Sequence, residues 1–107
     1  MPNLGDVTFD EHGFMGDLHQ WDVDIARAMA KAVGLEALDA AHFAVLQVLR
    51  DHYVSRRAVM PEDEVCRAVG MEKHCIRHLF DNYEKAWKTA GLPDPGTELR
   101  EIMQQVR

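Results

Sequence analysis

The sequence predicts an α+β domain, a small N-terminal β-hairpin or meander packed on an array of about five α-helices. Three observations carry that expectation. A β-prone run, Val7-Thr8-Phe9, is followed by a glycine turn and a second apolar pair. Beyond it the apolar residues recur at helical spacing, the first three stripes preceded by a capping aspartate or a proline. Glycines and prolines then separate the stripes into short segments. At 107 residues and 47% hydrophobic content the chain suits one domain with a modest core.

Residues 5–20 read as the hairpin. Glu11-His12-Gly13 forms its turn, with Gly13 free to take a positive φ, and Phe14-Met15 starts the return strand. An isolated hairpin is marginal in water, so this one must pack on helices. The first helix is predicted from Val23 to Val33, capped by Asp22, with Ile25, Ala26, Met29, Ala30 and Val33 on one face and Gly34 ending it. The second runs from Ala40 to about Arg56 behind Asp39. From Ala40 to Leu49 only His42 and Gln47 break its apolar character, which predicts a central position. Pro61 opens a third helix that ends near Gly70. Met71 to Phe80 reads as a fourth and Asn82 to Ala90 as a fifth, stopped by Gly91 and Pro93. Residues 1–95 form the domain. Residues 96–107 form a C-terminal tail, with Leu99, Ile102, Met103 and Val106 at helical spacing.

Charge and apolar runs exclude several classes. The net charge is −6, and it is uneven: residues 1–64 carry −7 and residues 65–107 carry +1. An acidic N-terminal half is a poor surface for nucleic acid, though it suits a basic partner. No apolar run reaches the roughly 18 residues of a membrane span. Met1-Pro2-Asn3-Leu4-Gly5-Asp6 has neither the basic nor the apolar region of a signal peptide. Two cysteines do not make a disulfide framework, so the expected setting is the reducing cytoplasm.

The chemistry-bearing residues are few. Cys66, between Val65 and Val69, reads as a small core residue. Cys75 lies among Lys73, His74, Arg77 and His78, cations that favour a thiolate, and is the better candidate thiol. A disulfide between the two is not expected. His74 and His78 share a helix face at i,i+4, but Cys75 sits about 100° away and no further ligand has zinc spacing, so no metal site is expected. No cofactor is expected either. His42 and His52 read as packing or hydrogen-bonding residues. Residues 62–80 have a helix, Gly70, helix outline. Lys73, His74, Arg77 and His78 on the second helix would be the DNA contacts of a helix-turn-helix. Tyr83, Ala86 and Trp87 share a face, where Trp87 either packs in the core or anchors the next segment or a partner groove. No nucleophile triad, phosphate loop or carboxylate pair stands out, and a conventional enzyme is not predicted.

Several blocks together resemble one family. They are Asp10-Glu11-His12-Gly13-Phe14, Trp21-Asp22-Val23-Asp24-Ile25-Ala26, Leu38-Asp39-Ala40-Ala41-His42-Phe43-Ala44-Val45-Leu46, Leu49-Arg50-Asp51-His52-Tyr53, and Lys85-Ala86-Trp87-Lys88-Thr89-Ala90-Gly91-Leu92-Pro93-Asp94-Pro95. In this order, over about residues 7–95, they resemble the DsrC/TusE/DsvC family of sulfur-relay proteins. The resemblance implies the DsrC-like fold. It also implies a C-terminal arm, here Ala90, Gly91, Leu92, Pro93, Asp94 and Pro95, that docks a partner. In that family the last arm cysteine carries a persulfide, and an earlier one occurs in the DsrC branch.

This chain departs from the family's pattern. Trp87 falls at the earlier cysteine position and Glu98 at the final one. Asp94 replaces the arm lysine, the tail runs past the family's usual end, and Pro61 is followed by Glu62-Asp63-Glu64 where an arginine is usual. Neither indole nor carboxylate can hold sulfane sulfur. The expected function is therefore a non-catalytic binding or regulatory protein of sulfur metabolism. Its expected partner is of the sulfite reductase or sulfurtransferase type. A sulfur carrier using Cys75 and a helix-turn-helix DNA-binding regulator are the alternatives.

Overall fold

The structure is a computed structural model that describes residues 7–35 and 37–105. Met1–Asp6 and Val106, which entered the sequence reading, lie outside the described residues. Six α-helices make up the described chain: α1 Val23–Ala32, α2 Ala40–Arg56, α3 Glu62–Ala68, α4 Cys75–Phe80, α5 Tyr83–Thr89 and α6 Thr97–Gln105. A short 3-10 turn, Leu18–Gln20, precedes them.

The expected α+β class is corrected: among the described residues the fold is all-helical and contains no strand. The predicted hairpin is reduced to one antiparallel bridge, Phe9 to Met15. Asp10 explains why it goes no further. Its side chain accepts the backbone N–H groups of His12 and Phe14, both at 2.9 Å, and so closes a tight loop around Gly13. The flanking residues exchange little more than Asp10 N–H to Phe14 O and Gly16 N–H to Thr8 O. The alternation of the pair still matters. Phe14 points into the main core, whereas Met15 joins a small second cluster with Ile25 and Met29 of α1.

Local signals place the long helices well. The carboxylates of Asp22 and Asp39 accept Ile25 and His42 N–H at 2.8 and 3.1 Å and cap α1 and α2. His42 completes a capping box with Asp39, which holds that carboxyl below its ordinary range. Its Nε2 donates to Leu79 O of α4 at 2.9 Å. Gly34, Gly70 and Gly91 all follow helix ends with positive φ, and at each the next residue's N–H returns to the last turn.

The fourth helix is shorter than predicted. Glu72 accepts His74 N–H at 2.9 Å and Cys75 N–H reaches Glu72 O, so residues 71–74 form a turn and α4 starts only at Cys75. Helix α2 contributes Val45, Leu46 and Leu49 to the core and packs on α3, α4 and α5. The hub is α5, which touches α1, α2, α4 and α6. Within the tail, Thr97–Gln105 form α6, whose Met103 is buried against the same body.

Candidate functional site

The residues singled out near the C-terminus form one clamped segment around Thr89–Asp94. Trp87, on α5, is 0% exposed. Tyr53 meets its ring edge-on at 5.6 Å between centroids, and Tyr83 lies tilted at 6.3 Å. Its indole N–H donates to Pro93 O at 2.7 Å. Trp87 therefore does both things its position suggested: it packs in the core, and it ties down the chain that follows.

The other side of the segment is held from far away in sequence. Trp21 Nε1 donates to Thr89 O at 2.8 Å. The Arg50 guanidinium lies over the Trp21 ring at 4.3 Å and donates to Ala90 O at 2.9 Å and Leu18 O at 2.8 Å. Partial burial pulls the Arg50 pKa down from its usual value, yet both of its carbonyl partners favour the charged form. Gly91 has φ +69°, and a Cβ there would stand 2.3 Å from the Trp21 ring. That close approach admits only glycine.

The segment named as a partner-binding arm thus divides at Pro93. Ala90, Gly91 and Leu92 are enclosed in the core, Pro93 and Pro95 are half-buried, and Asp94 is exposed. The Asp94 carboxylate accepts Gly96 N–H at 2.8 Å and pairs with Arg100 Nε at 3.2 Å. It therefore steers the turn into α6. Glu98 is exposed in the first turn of that helix. The blocks around Trp21 and Arg50 were legible as family-like patterns. Their joint grip on Thr89 and Ala90 was not, because it depends on three distant stretches meeting.

The expectation of two separate cysteines is corrected. Cys66 and Cys75 are joined by a disulfide with Cα atoms 5.8 Å apart. With that bond formed, neither candidate thiol is free. Helix α3 and the turn after Gly70 curl back so that the two positions face each other in the core.

Three of the four basic residues of the same corner lie beside acids. Glu62 accepts Arg77 Nε at 2.9 Å and the Arg77 backbone N–H at 3.0 Å. His78 Nδ1 lies 2.8 Å from Glu72, and His74 Nδ1 lies 3.9 Å from Glu62. Lys73 and His74 precede α4 rather than lying on it, so the four candidate DNA contacts do not share one helix face. Among the described residues no group of three or more His, Cys, Asp or Glu is placed to hold a metal ion. No helix among them is long and apolar enough to cross a membrane.

The result is a small helical domain whose C-terminal segment is clamped against its core by tryptophans and an arginine. Comparison with known proteins gives the family. Residues 3–98 match the family described as DsrC like protein, and the chain belongs to that family. It is 32% identical to a protein named sulfurtransferase TusE homolog from Haemophilus influenzae, over 84% of this chain and 90% of that one. Sulfurtransferase TusE of Salmonella typhimurium is 30% identical over the same shares.

Among solved structures it is similar to the oxidized gamma-subunit of dissimilatory sulfite reductase (DsrC) from Archaeoglobus fulgidus. The TM-score is 0.75 at 26% identity, covering 85% of this chain and 90% of that one. A structure titled dissimilatory sulfite reductase I (DsrI) gives a TM-score of 0.74 at 25% identity, covering 85% and 89%. The family match ends at Glu98, so most of α6 lies beyond it.

Proposed function

We infer that this chain is a sulfur-relay protein of the DsrC/TusE type that binds within such a relay without carrying sulfur on its C-terminal segment. It acts as a binding or regulatory protein of the cytoplasm rather than as an enzyme. The observation that carries the reading is Glu98, which stands where the resemblance puts the persulfide-carrying cysteine; at the earlier, DsrC-branch position the buried Trp87 indole fills the core and bonds Pro93 O. A thiol there would leave a large void and free the segment that follows. Glu98, at the other cysteine position, presents a carboxylate to solvent.

The partner is a protein of the sulfur pathway, of the sulfite reductase or sulfurtransferase type that the relatives' names indicate. Docking uses the surface from Pro93 to Glu98, where Asp94 places a negative charge at the family's lysine position and so alters which partner is accepted. The Trp87 and Arg50 clamps hold this surface in one shape, which lowers the ordering cost of binding.

The test has two arms. Incubation with a persulfide donor followed by mass mapping is expected to leave the chain without added sulfur; sulfur on Cys75 in high yield would make it a carrier. Added to a TusE-type carrier and its acceptor, the protein is expected to slow sulfur transfer in proportion to its concentration. Unchanged transfer at large excess would sink the competing role.

A further inference from the structure

Cys66 and Cys75 are the chain's two cysteines, and they meet where α3 turns into α4. Both are deep in the core, at 0% and 3% exposure. Helix α3 has seven residues and α4 has six, too few to persist without packing. Two side-chain ties stand out across this corner among the described residues. One is the disulfide. The other is Glu62, whose side chain is 8% exposed and accepts two hydrogen bonds from Arg77. The chain entering α3 also walls an open apolar groove of about 290 Å³, formed by Val59, Met60 and Pro61 on one side and Tyr83, Leu99 and Ile102 on the other. The Tyr83 hydroxyl donates to Met60 O and joins the two walls. Whatever loosens α3 also loosens one wall of that groove.

We propose that the Cys66–Cys75 bond is a redox lock on the α3–α4 corner. Closed, it holds residues 62–80 and the groove wall in one arrangement. Opened by a dithiol reductant, it lets that corner fluctuate while α1, α5 and the clamped C-terminal segment stay in place. The chemistry is thiol–disulfide exchange. One reductant thiolate attacks a sulfur of the bond and expels the other as a thiolate, leaving a mixed disulfide. The second reductant thiol resolves that adduct. Cys66 and Cys75 finish as thiols, having gained two electrons and two protons, and the reductant leaves as a cyclic disulfide. Because both sulfurs are buried, attack waits for the corner to open, and the reduction rate reports that opening.

The test is native-state hydrogen exchange read by mass spectrometry on the full chain, oxidised and then held in dithiothreitol. Closing a loop of this size restricts the open chain by about 100-fold, so amide exchange over 62–80 is expected to quicken by about that factor on reduction. Exchange in α1 and α5 is expected to stay the same, and a disulfide donor is expected to restore the oxidised pattern. Glu62→Gln, which weakens the second tie, is expected to speed reduction by dithiothreitol; an unchanged rate would overturn the local-opening route. Cys75→Ala must exchange like the reduced protein with or without reductant. The reduced wild-type chain carries the same test should that variant not fold. Two alkylatable thiols in the oxidised protein would overturn the lock. So would unaltered exchange on reduction, or an equal rise across α1 and α5, which would make the bond a general staple.

Discussion

At residue scale the most constrained position is Gly91. Its positive φ and its contact with Trp21 act together, since any side chain must both adopt left-handed backbone and displace a ring that Arg50 and Thr89 hold in place. Gly91→Ala is expected to cost roughly 2–5 kcal/mol, the sum of the backbone and overpacking terms. Urea unfolding measures it, and a loss no larger than that of an exposed substitution would mean the Trp21 ring moves freely. Tyr83 is constrained differently. Burial, and then the nearby Glu62 charge, raise its phenol well above the ordinary 10.0. Below that value the phenol is neutral in both folded and unfolded chains. As pH rises past it, only the unfolded chain ionises, so Tyr83's contribution to stability falls. Urea midpoints either side of 10.0 should show a smaller drop for Tyr83→Phe than for wild type. At neutral pH Tyr83→Phe should itself lose about 1–3 kcal/mol, because Met60 O loses its donor.

At the scale of elements, the helices differ in what holds them. Helix α2 has its own cap and seventeen residues, so its bounds follow from local grammar. It packs on α3, α4 and α5 and buries Leu46 at 0% exposure in the main core. Leu46→Ala is expected to destabilise the domain by about 2–5 kcal/mol, because a fully buried site in the main core collapses only partly around the cavity. A midpoint in urea close to wild type would show that the neighbouring helices close over the gap. Helices α3 and α4 are a different case. Neither has a side-chain cap bond, and α4 begins only where the Glu72 turn ends. They stand because Cys66, Cys75, Glu62 and Arg77 fasten them to each other. Their apolar spacing was readable, but a six-residue helix leaves too short a pattern to place its start.

For the whole molecule, the question is what the residues after α5 contribute. The chain from Gly91 to Pro93 belongs to the core through Leu92 and the Trp87 bond, whereas α6 is attached by Met103, the Asp94–Arg100 pair and a Gln104–Glu84 hydrogen bond. Two truncations separate these contributions. Ending the chain after Pro95 removes about one buried Met side chain and is expected to cost about 2 kcal/mol. Ending it after Ala90 also removes Leu92 and leaves the buried Trp87 N–H unpaired, which adds roughly 3–8 kcal/mol and should abolish cooperative melting. Equal melting temperatures for the two truncated chains would place Leu92 and Pro93 outside the core.

What the sequence determined by itself is the grammar of neighbours. Asp22 and Asp39 before apolar stripes set where α1 and α2 begin, and Gly34, Gly70 and Gly91 set where helices stop, because caps and positive φ act within a few residues. The spaced blocks from Asp10 to Pro95 likewise pointed to the family that residues 3–98 match. Tertiary structure decided what distant residues do when they meet. Asp10 is a local exception: its carboxylate takes donors two and four residues on, which a longer ladder would have used, and turns a β-prone run into a capped loop. Cys66 and Cys75 became one bond because the Gly70 corner brings their Cα atoms within 5.8 Å. The grip of Trp21 and Arg50 on Thr89 and Ala90 spans 68 and 40 residues, and no local pattern encodes a contact that exists only after the core has closed.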